Sequence, residues 1–266
     1  MIMGNTIIGM MFTHDEGDIL EEILEACLNK VDSWFISNDN PTDNSWDILN
    51  DYQCRYPDKI EYLRNTREDP RDQGQRQALL SEIQRRYKPQ DTWVQVLEAD
   101  TMLLDTDVRE AIRDFAVLDI GVTWTMLHAV RKSGTWESLD TYPIWEKSIT
   151  EVLPYAQEYE TMLYTFRPLP KLAYNLNTWR PWPQGFSHCL DGQGLKTEEI
   201  SPEVPLLAHY GYRGPQHVYD KYKGTKHPWN TSSVKKVEET FWYFNGVWNG
   251  DVFPMSREGW RSRFDN

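Results

Sequence analysis

Residues Thr92–Asp100 read TWVQVLEAD. Trp93, Val94, Val96 and Leu97 make a near-continuous apolar run, the pattern of a strand covered on both faces. The run then breaks into Glu98-Ala99-Asp100. Two carboxylates one residue apart at the exit of a buried strand cannot both face apolar core unpartnered, because burying an uncompensated charge is costly. A divalent cation is one such partner, and open α/β sheets place their ligand sites at the carboxyl ends of strands. Solvated acids opening a loop are the other reading of the same tripeptide.

Working outward towards the N-terminus, strand and helix patterns alternate. Ile7 to Phe12 is a short apolar run, followed by the polar turn Thr13-His14-Asp15-Glu16-Gly17. Ile19, Leu20, Ile23, Leu24, Cys27 and Leu28 then fall on one helical face, with Asp15 or Asp18 as the expected N-cap. Ser33 to Ser37 reads as a second strand. Pro41 ends the extended segment that follows, and Thr42 or Asp43 is expected to cap a helix carrying Trp46, Ile48, Leu49 and Tyr52. Ile60 to Leu63 reads as a third strand, and Gln73 to Tyr87 as a third helix with Leu79, Leu80, Ile83 and Tyr87 inward. A fourth helix carries Val108, Ala111, Ile112 and Phe115. Such alternation predicts a mostly parallel sheet with right-handed crossovers. The first turn, THDEGD, has no G-x-G-x-x-G and no P-loop, so a nucleotide is not held there by its phosphates.

Composition narrows the function. A formal net charge of -13 over 266 residues argues against general binding to nucleic acid or to acidic membranes, and leaves room for a local basic pocket for a nucleotide phosphate. Three scattered cysteines, Cys27, Cys54 and Cys189, fit reduced thiols and a cytoplasmic setting better than a disulfide scaffold. MIMGNTIIGMMF lacks a basic flank and reads as a strand, not a signal peptide, and no apolar run is long enough to span a bilayer.

Taken in order, Asp15-Glu16, VDSWFISNDNPTDNSWDIL and DTWVQVLEAD resemble family 2 glycosyltransferases of the GT-A fold. That family has a first strand followed by Asn-Glu, a second ending in D-D-G-S-T-D, and a fourth ending in D-x-D. Gly74, Arg76 and Gln77 resemble its G-x-x-x-x-R-N stretch. Asn38 stands where the first Asp of D-D-G-S-T-D would be, Asp15 and Gln77 each replace an Asn, and Glu98 replaces the first Asp of D-x-D. Asp100 keeps the acid with which the family holds its metal. Glu for Asp preserves charge and oxygen type, so a site for a hard cation, Mn or Mg, survives.

In the second half Trp, Tyr and Pro crowd together, as in TFRPLP and NTWRPWPQGF. Such residues read as core and loop anchors, or as faces that stack on sugar rings. Arg167 and Arg180 each precede Pro, and pairing with surface acids is expected for at least one of them. Leu206 to Lys223, LLAHYGYRGPQHVYDKYK, resembles the L-x-H-x-x-Y … Y-x-x-K segment of small family 2 transferases, with His209, Tyr212, Tyr219 and Lys221 at the matching positions. A lone His usually reads as a core histidine on a backbone carbonyl; the resemblance makes His209 the third metal ligand.

The resemblance implies a GT-A fold, a Rossmann-like α/β arrangement of a mostly parallel sheet flanked by helices, with an aromatic-rich C-terminal acceptor part. Residues 1–115 would be the nucleotide-sugar-binding half, and 116–266 the acceptor-binding half with a C-terminal extension. The implied function is metal-dependent, inverting transfer from a nucleotide-sugar, a UDP-sugar first, to a glycan or other hydroxyl acceptor. Phe12, Thr13, Glu16 and Asp39 would meet the donor base, Arg76 and Glu98 the donor, and Arg213 and Lys221 its pyrophosphate. Asp100 and His209 would hold the metal. Asp191 or His188 would be the general base, with Glu160 and Asp140 as competitors. The alternative is a non-catalytic carbohydrate- or nucleotide-binding protein on a degenerate GT-A scaffold.

Overall fold

The computed structural model describes residues 5–66, 71–116, 119–130, 148–153, 155–174, 202–211, 219 and 252–265. Its first strands are β1 (Thr6–Thr13), β2 (Ser33–Asn38), β3 (Ile60–Asn65) and β4 (Thr92–Glu98). Between them run α1 (Leu20–Cys27), α2 (Ser45–Arg55) and α3 (Arg71–Arg86). β1 pairs in parallel with β2 and β4, and β2 in parallel with β3. The alternation in the sequence is therefore what the chain builds. All six residues of β2 are buried, as are Thr92 to Leu97 in β4, because helices cover both faces. At the edge, β3 exposes Glu61 and Asn65, charge and polarity that discourage further strand pairing.

Beyond Asp100 come β5 (Thr101–Leu104), α4 (Val108–Phe115), β6 (Gly121–Val130), α5 (Ile149–Val152), β7 (Tyr155–Phe166), β8 (Leu206–His209), β9 (Phe253–Pro254) and α6 (Arg257–Arg261). The sheet order is β3-β2-β1-β4-β7-β6-β8-β5, with β9 on β7. β4 and β7 are antiparallel, with Gln95 opposite Thr165. The buried Gln95 amide would be costly alone. Its Oε1 accepts from Thr165 Oγ1 at 2.5 Å, and that hydroxyl accepts from Trp124 Nε1 at 2.7 Å. A polar thread thus joins three strands, and Trp124 is core.

Two compact units are found: residues 1–125 with 161–207, and residues 126–160 with 208–266. In the first, α1 buries Leu20, Ile23, Leu24 and Cys27, and α3 lies against β1 and β2. In the second, β9 pairs with β7 at Tyr155 and Ala156, and Ser256 Oγ caps α6 by accepting from Gly259 N at 3.0 Å.

Three local expectations are corrected. Neither Asp15 nor Asp18 occupies the N-cap of α1: Ile19 does, with no side-chain cap bond, and the amides of Ile19 and Leu20 donate to Glu16 O. Asn44 stands at the cap of α2, although Asp43 Oδ1 accepts from Ser45 N at 2.9 Å one position further in. Strands β6 and β7 occupy stretches read above only as aromatic-rich.

Candidate active site

The parallel register brings three strand ends level. Thr13 is opposite Asn38, and Phe12 is opposite Glu98. The loops that leave these ends are stitched together. Asp15, at φ 52°, accepts from Thr42 N at 2.5 Å and from Thr42 Oγ1 at 3.0 Å. Gly17 N donates to Asp43 Oδ2 at 2.7 Å, and Glu16 N to Ser45 Oγ at 3.0 Å. A Cβ at Gly17 would lie 2.0 Å from Asn44 Oδ1, so a side chain there would force the Asn44 amide to move. Asp15, the first residue of the acidic pair, is thus committed to holding two loops together.

Behind these loops the site is dense in buried polar groups. Asp39 follows β2 and is 1% exposed. Its Oδ1 accepts from Gln75 Nε2 at 3.4 Å, its N donates to Thr13 O, and its carbonyl lies 3.0 Å from His14 Nδ1. Gln75, in α3, also contacts Ser37 Oγ and Thr66 O. Glu16 is buried in the same turn, as is Asn38 at the end of β2.

Glu98 and Asp100 divide the two readings offered by the sequence. Glu98 keeps a side-chain exposure of 30% and accepts from Arg76 Nη2 at 2.5 Å. Arg76 reaches it from α3, buried, with its guanidinium 5.8 Å from the centre of the Phe12 ring. Asp100 is 2% exposed, which removes the solvated-loop reading for that residue. Tyr174 is buried close by, its hydroxyl pKa driven up by desolvation, and its amide donates to Gln77 Oε1 at 2.7 Å. Gln77 therefore anchors the chain that passes over α3.

His209 ends β8. Its Nδ1 lies 2.9 Å from Nδ1 of His128 on β6. Asp100, buried just after β4, and His209, at the end of β8, are residue types that ligate divalent ions, a carboxylate and an imidazole.

Phe12, Thr13, Glu16, Asp39, Arg76 and Glu98 thus gather at the ends of β1, β2 and β4; Asp100 follows β4, and His209 ends β8. Arg213, Lys221, His188, Asp191 and Asp140 lie outside the described residues; Glu160 falls on β7. The sequence reading missed Gln75 and His128. A glutamine at helical spacing carries no signal of its own. His128 sits in the β-branched and apolar run GVTWTMLHAV, where an ionisable residue is the signal that was available. Arg167 meets its expectation of pairing with an acid. It forks onto Asp119 at 2.9 and 2.8 Å and lies 4.4 Å from the Trp93 ring centre, beside a cavity of about 500 Å³ lined also by Pro89 and Leu169.

Residues 10–170, more than half of the chain, match the sequence profile described as Glycosyl transferase family 2. No curated protein matches. Similar solved structures include S. aureus TarS 1-349 in complex with UDP, at 14% identity over 49% of this chain and 37% of that one, TM-score 0.33. They also include S. aureus TarS, at 11% identity over 61% and 28%, TM-score 0.34. A third is TarS 1-349, at 11% identity over 61% and 47%, TM-score 0.35. This chain spans less than half the length of each. At such TM-scores the assignment rests on the profile and the sheet. Among the described residues no helix is long and apolar enough to cross a membrane.

Proposed function

The chain belongs to glycosyl transferase family 2, and on that premise we propose that it moves a sugar from a nucleotide-sugar, a UDP-sugar first, to a hydroxyl of a glycan or small acceptor. The observation that carries the proposal is the set of acids at the carboxyl ends of the parallel strands, buried Asp39 after β2 and Glu98 with buried Asp100 after β4, with Arg76 bonded to Glu98. Asp100 and His209, with Glu98, would hold a divalent cation, which when bound would supply positive charge to the diphosphate leaving group.

The remaining work falls to side chains. Phe12, Thr13, Glu16 and Asp39 receive the base at the ends of β1 and β2. Asp39 accepts from a base N–H, its carboxylate held by Gln75. Arg76, through its bond to Glu98, fixes the carboxylate nearest the donor sugar. Arg213 and Lys221 add charge where the pyrophosphate leaves. Transfer is inverting: one bond forms from the acceptor oxygen to the anomeric carbon as the bond to the phosphate oxygen breaks. A base takes the hydroxyl proton in that step, and Asp191 and His188 are the residues to test for it.

A panel of nucleotide-sugars with Mn²⁺ tests the reading through nucleotide release and through melting temperature. A ligand that binds only the folded state adds about 2.7 kcal/mol at 100 times its dissociation constant. Release together with stabilisation is expected from a transferase. Stabilisation with no release from any donor, with or without sugar acceptors, would indicate a binding protein on the same scaffold.

A further inference from the structure

The loop that follows β2 carries Asp39 and is tied down along its length. Asp39 N donates to Thr13 O at 3.0 Å, and Asn40 N, at a residue with φ 46°, donates to Asn65 Oδ1 at 3.0 Å. Thr42 N donates to Asp15 Oδ1 at 2.5 Å, and Thr42 Oγ1 donates to Asp15 Oδ2 at 3.0 Å. Asp43 closes the far end, accepting from Gly17 N at 2.7 Å and from Ser45 N at 2.9 Å. Asp39 is buried, whereas Asp15 stands half-buried at the rim.

A connecting loop samples many conformations unless something outside it holds its backbone groups. Here the amides of Asp39, Asn40 and Thr42 each find an acceptor on another segment: Thr13, Asn65 and Asp15. Of these three acceptors Asp15 alone is charged, and it takes both the amide and the hydroxyl of one residue. Such a two-point grip by a carboxylate fixes direction as well as distance. Asp15 itself sits at φ 52°, a left-handed conformation that costs a non-glycine residue free energy and persists where the surroundings demand it. We infer that Asp15 is a positioning residue for donor binding: by gripping Thr42 it holds the loop of residues 39–45 in the arrangement that presents the Asp39 carboxylate to the nucleotide base. The inference rests on the reading of Asp39 as base acceptor proposed above, and adds to it a residue that acts only through Asp39. The effect is one of population. Released, the loop spends part of its time with Asp39 misplaced, and the apparent affinity falls by the fraction that remains competent. The base is held alike before and during transfer, so the loss belongs in the donor KM and not in kcat.

The test titrates the intact protein with UDP, GDP, CDP and ADP in Mn²⁺ buffer by calorimetry, and the tightest of these serves as the probe for the variants. Asp39→Ala removes the acceptor. Asp15→Gly removes the grip and keeps a left-handed backbone accessible. Thr42→Val removes only the hydroxyl. Asp15→Asn keeps an oxygen for Thr42 N and an amine for Thr42 Oγ1. Asp39→Ala and Asp15→Gly are each expected to weaken binding about tenfold or more, Thr42→Val about threefold, and Asp15→Asn to stay within about threefold of wild type. The double variant Asp15→Gly/Asp39→Ala should bind no more weakly than Asp39→Ala, because the first residue works through the second. With the best nucleotide-sugar, Asp15→Gly should raise KM about tenfold and leave kcat within about threefold. Should wild type bind none of the four, or Asp39→Ala keep wild-type affinity, the base reading fails and the inference with it. Should Asp39→Ala weaken binding while Asp15→Gly keeps it, the base reading stands and the role of Asp15 is overturned. Losses that add in the double variant, a fall in kcat with KM unchanged, or an Asp15→Asn as weak as Asp15→Gly would overturn it too. If Asp15→Gly does not fold, Thr42→Val decides, and wild-type affinity in that variant contradicts the grip.

Discussion

Arg76 Nη2 lies 2.5 Å from Glu98 Oε1, joining the middle of α3 to the last residue of β4. The two partners are unequally buried: the Arg76 side chain is 6% exposed and that of Glu98 is 30% exposed. Losing Arg76 leaves a carboxylate that water can reach. Losing Glu98 leaves a buried cation deprived of its carboxylate, the more expensive outcome. Glu98→Ala is therefore expected to cost more folding stability than Arg76→Leu. Each should fall near the roughly 1–3 kcal/mol of a charged hydrogen bond. Urea unfolding of both variants checks the order, and the reverse order would show that the pair is not what holds Arg76 in place.

Gly9 faces Trp34 across β1 and β2. A methyl group at Gly9 would sit 2.3 Å from the Trp34 ring, which is fully buried and donates Nε1–H to Leu28 O at 3.2 Å. The ring cannot yield, so Gly9→Ala is an overpacking change expected to cost about 1–3 kcal/mol. A melting temperature equal to that of wild type would contradict this packing.

The two described cysteines should differ in reactivity. Cys27 is buried on α1, and desolvation pushes its thiol up to about 11, so almost no thiolate exists at pH 8. Cys54 is exposed on α2. Iodoacetamide at pH 8 followed by peptide mapping should find Cys54 modified and Cys27 intact until denaturant is added. Early modification of Cys27 in native protein would mean that α1 opens readily.

Glu82, on the outer face of α3, is pulled down to about 2 by hydrogen bonds, chiefly from Arg85 and then from Arg86. A carboxylate lowered on folding stabilises the native state above its unfolded pKa, near 4.3, and loses that contribution as pH falls towards the folded value. Glu82→Gln should therefore melt below wild type at pH 7, and the two curves should converge as the pH approaches about 2. A constant gap between pH 7 and pH 2 would assign the effect to something other than this charge.

Much of the donor half was legible because its signals are local. Apolar runs ending in acids became β1, β2 and β4, and the 3.6-residue repeats became α1 and α3. The Glu98-Ala99-Asp100 break was legible as a site, but not how its acids would divide. That division depends on Arg76, 22 positions away, reaching across from α3. Asp15 looked like part of a donor motif, yet its carboxylate is occupied by Thr42, a contact fixed by the meeting of two loops. β6 and β7 were hidden because the aromatic residues within and beside them read equally well as loop anchors. In the structure Trp124 and Thr165 face each other across those strands.

The central claim is that Asp100 serves a cation-dependent transfer from a nucleotide-sugar. The most direct measurement is the rate of nucleotide release from the best donor of the panel, for wild type and Asp100→Asn, in Mn²⁺ and in excess EDTA. The account predicts release by wild type in Mn²⁺, loss of that release in EDTA with recovery when Mn²⁺ is restored, and for Asp100→Asn, in Mn²⁺ or in EDTA, a rate at least about 100-fold below that of wild type in Mn²⁺, with its melting temperature preserved. Wild-type turnover undiminished in excess EDTA, or an Asp100→Asn enzyme that responds to Mn²⁺ as wild type does, would contradict it.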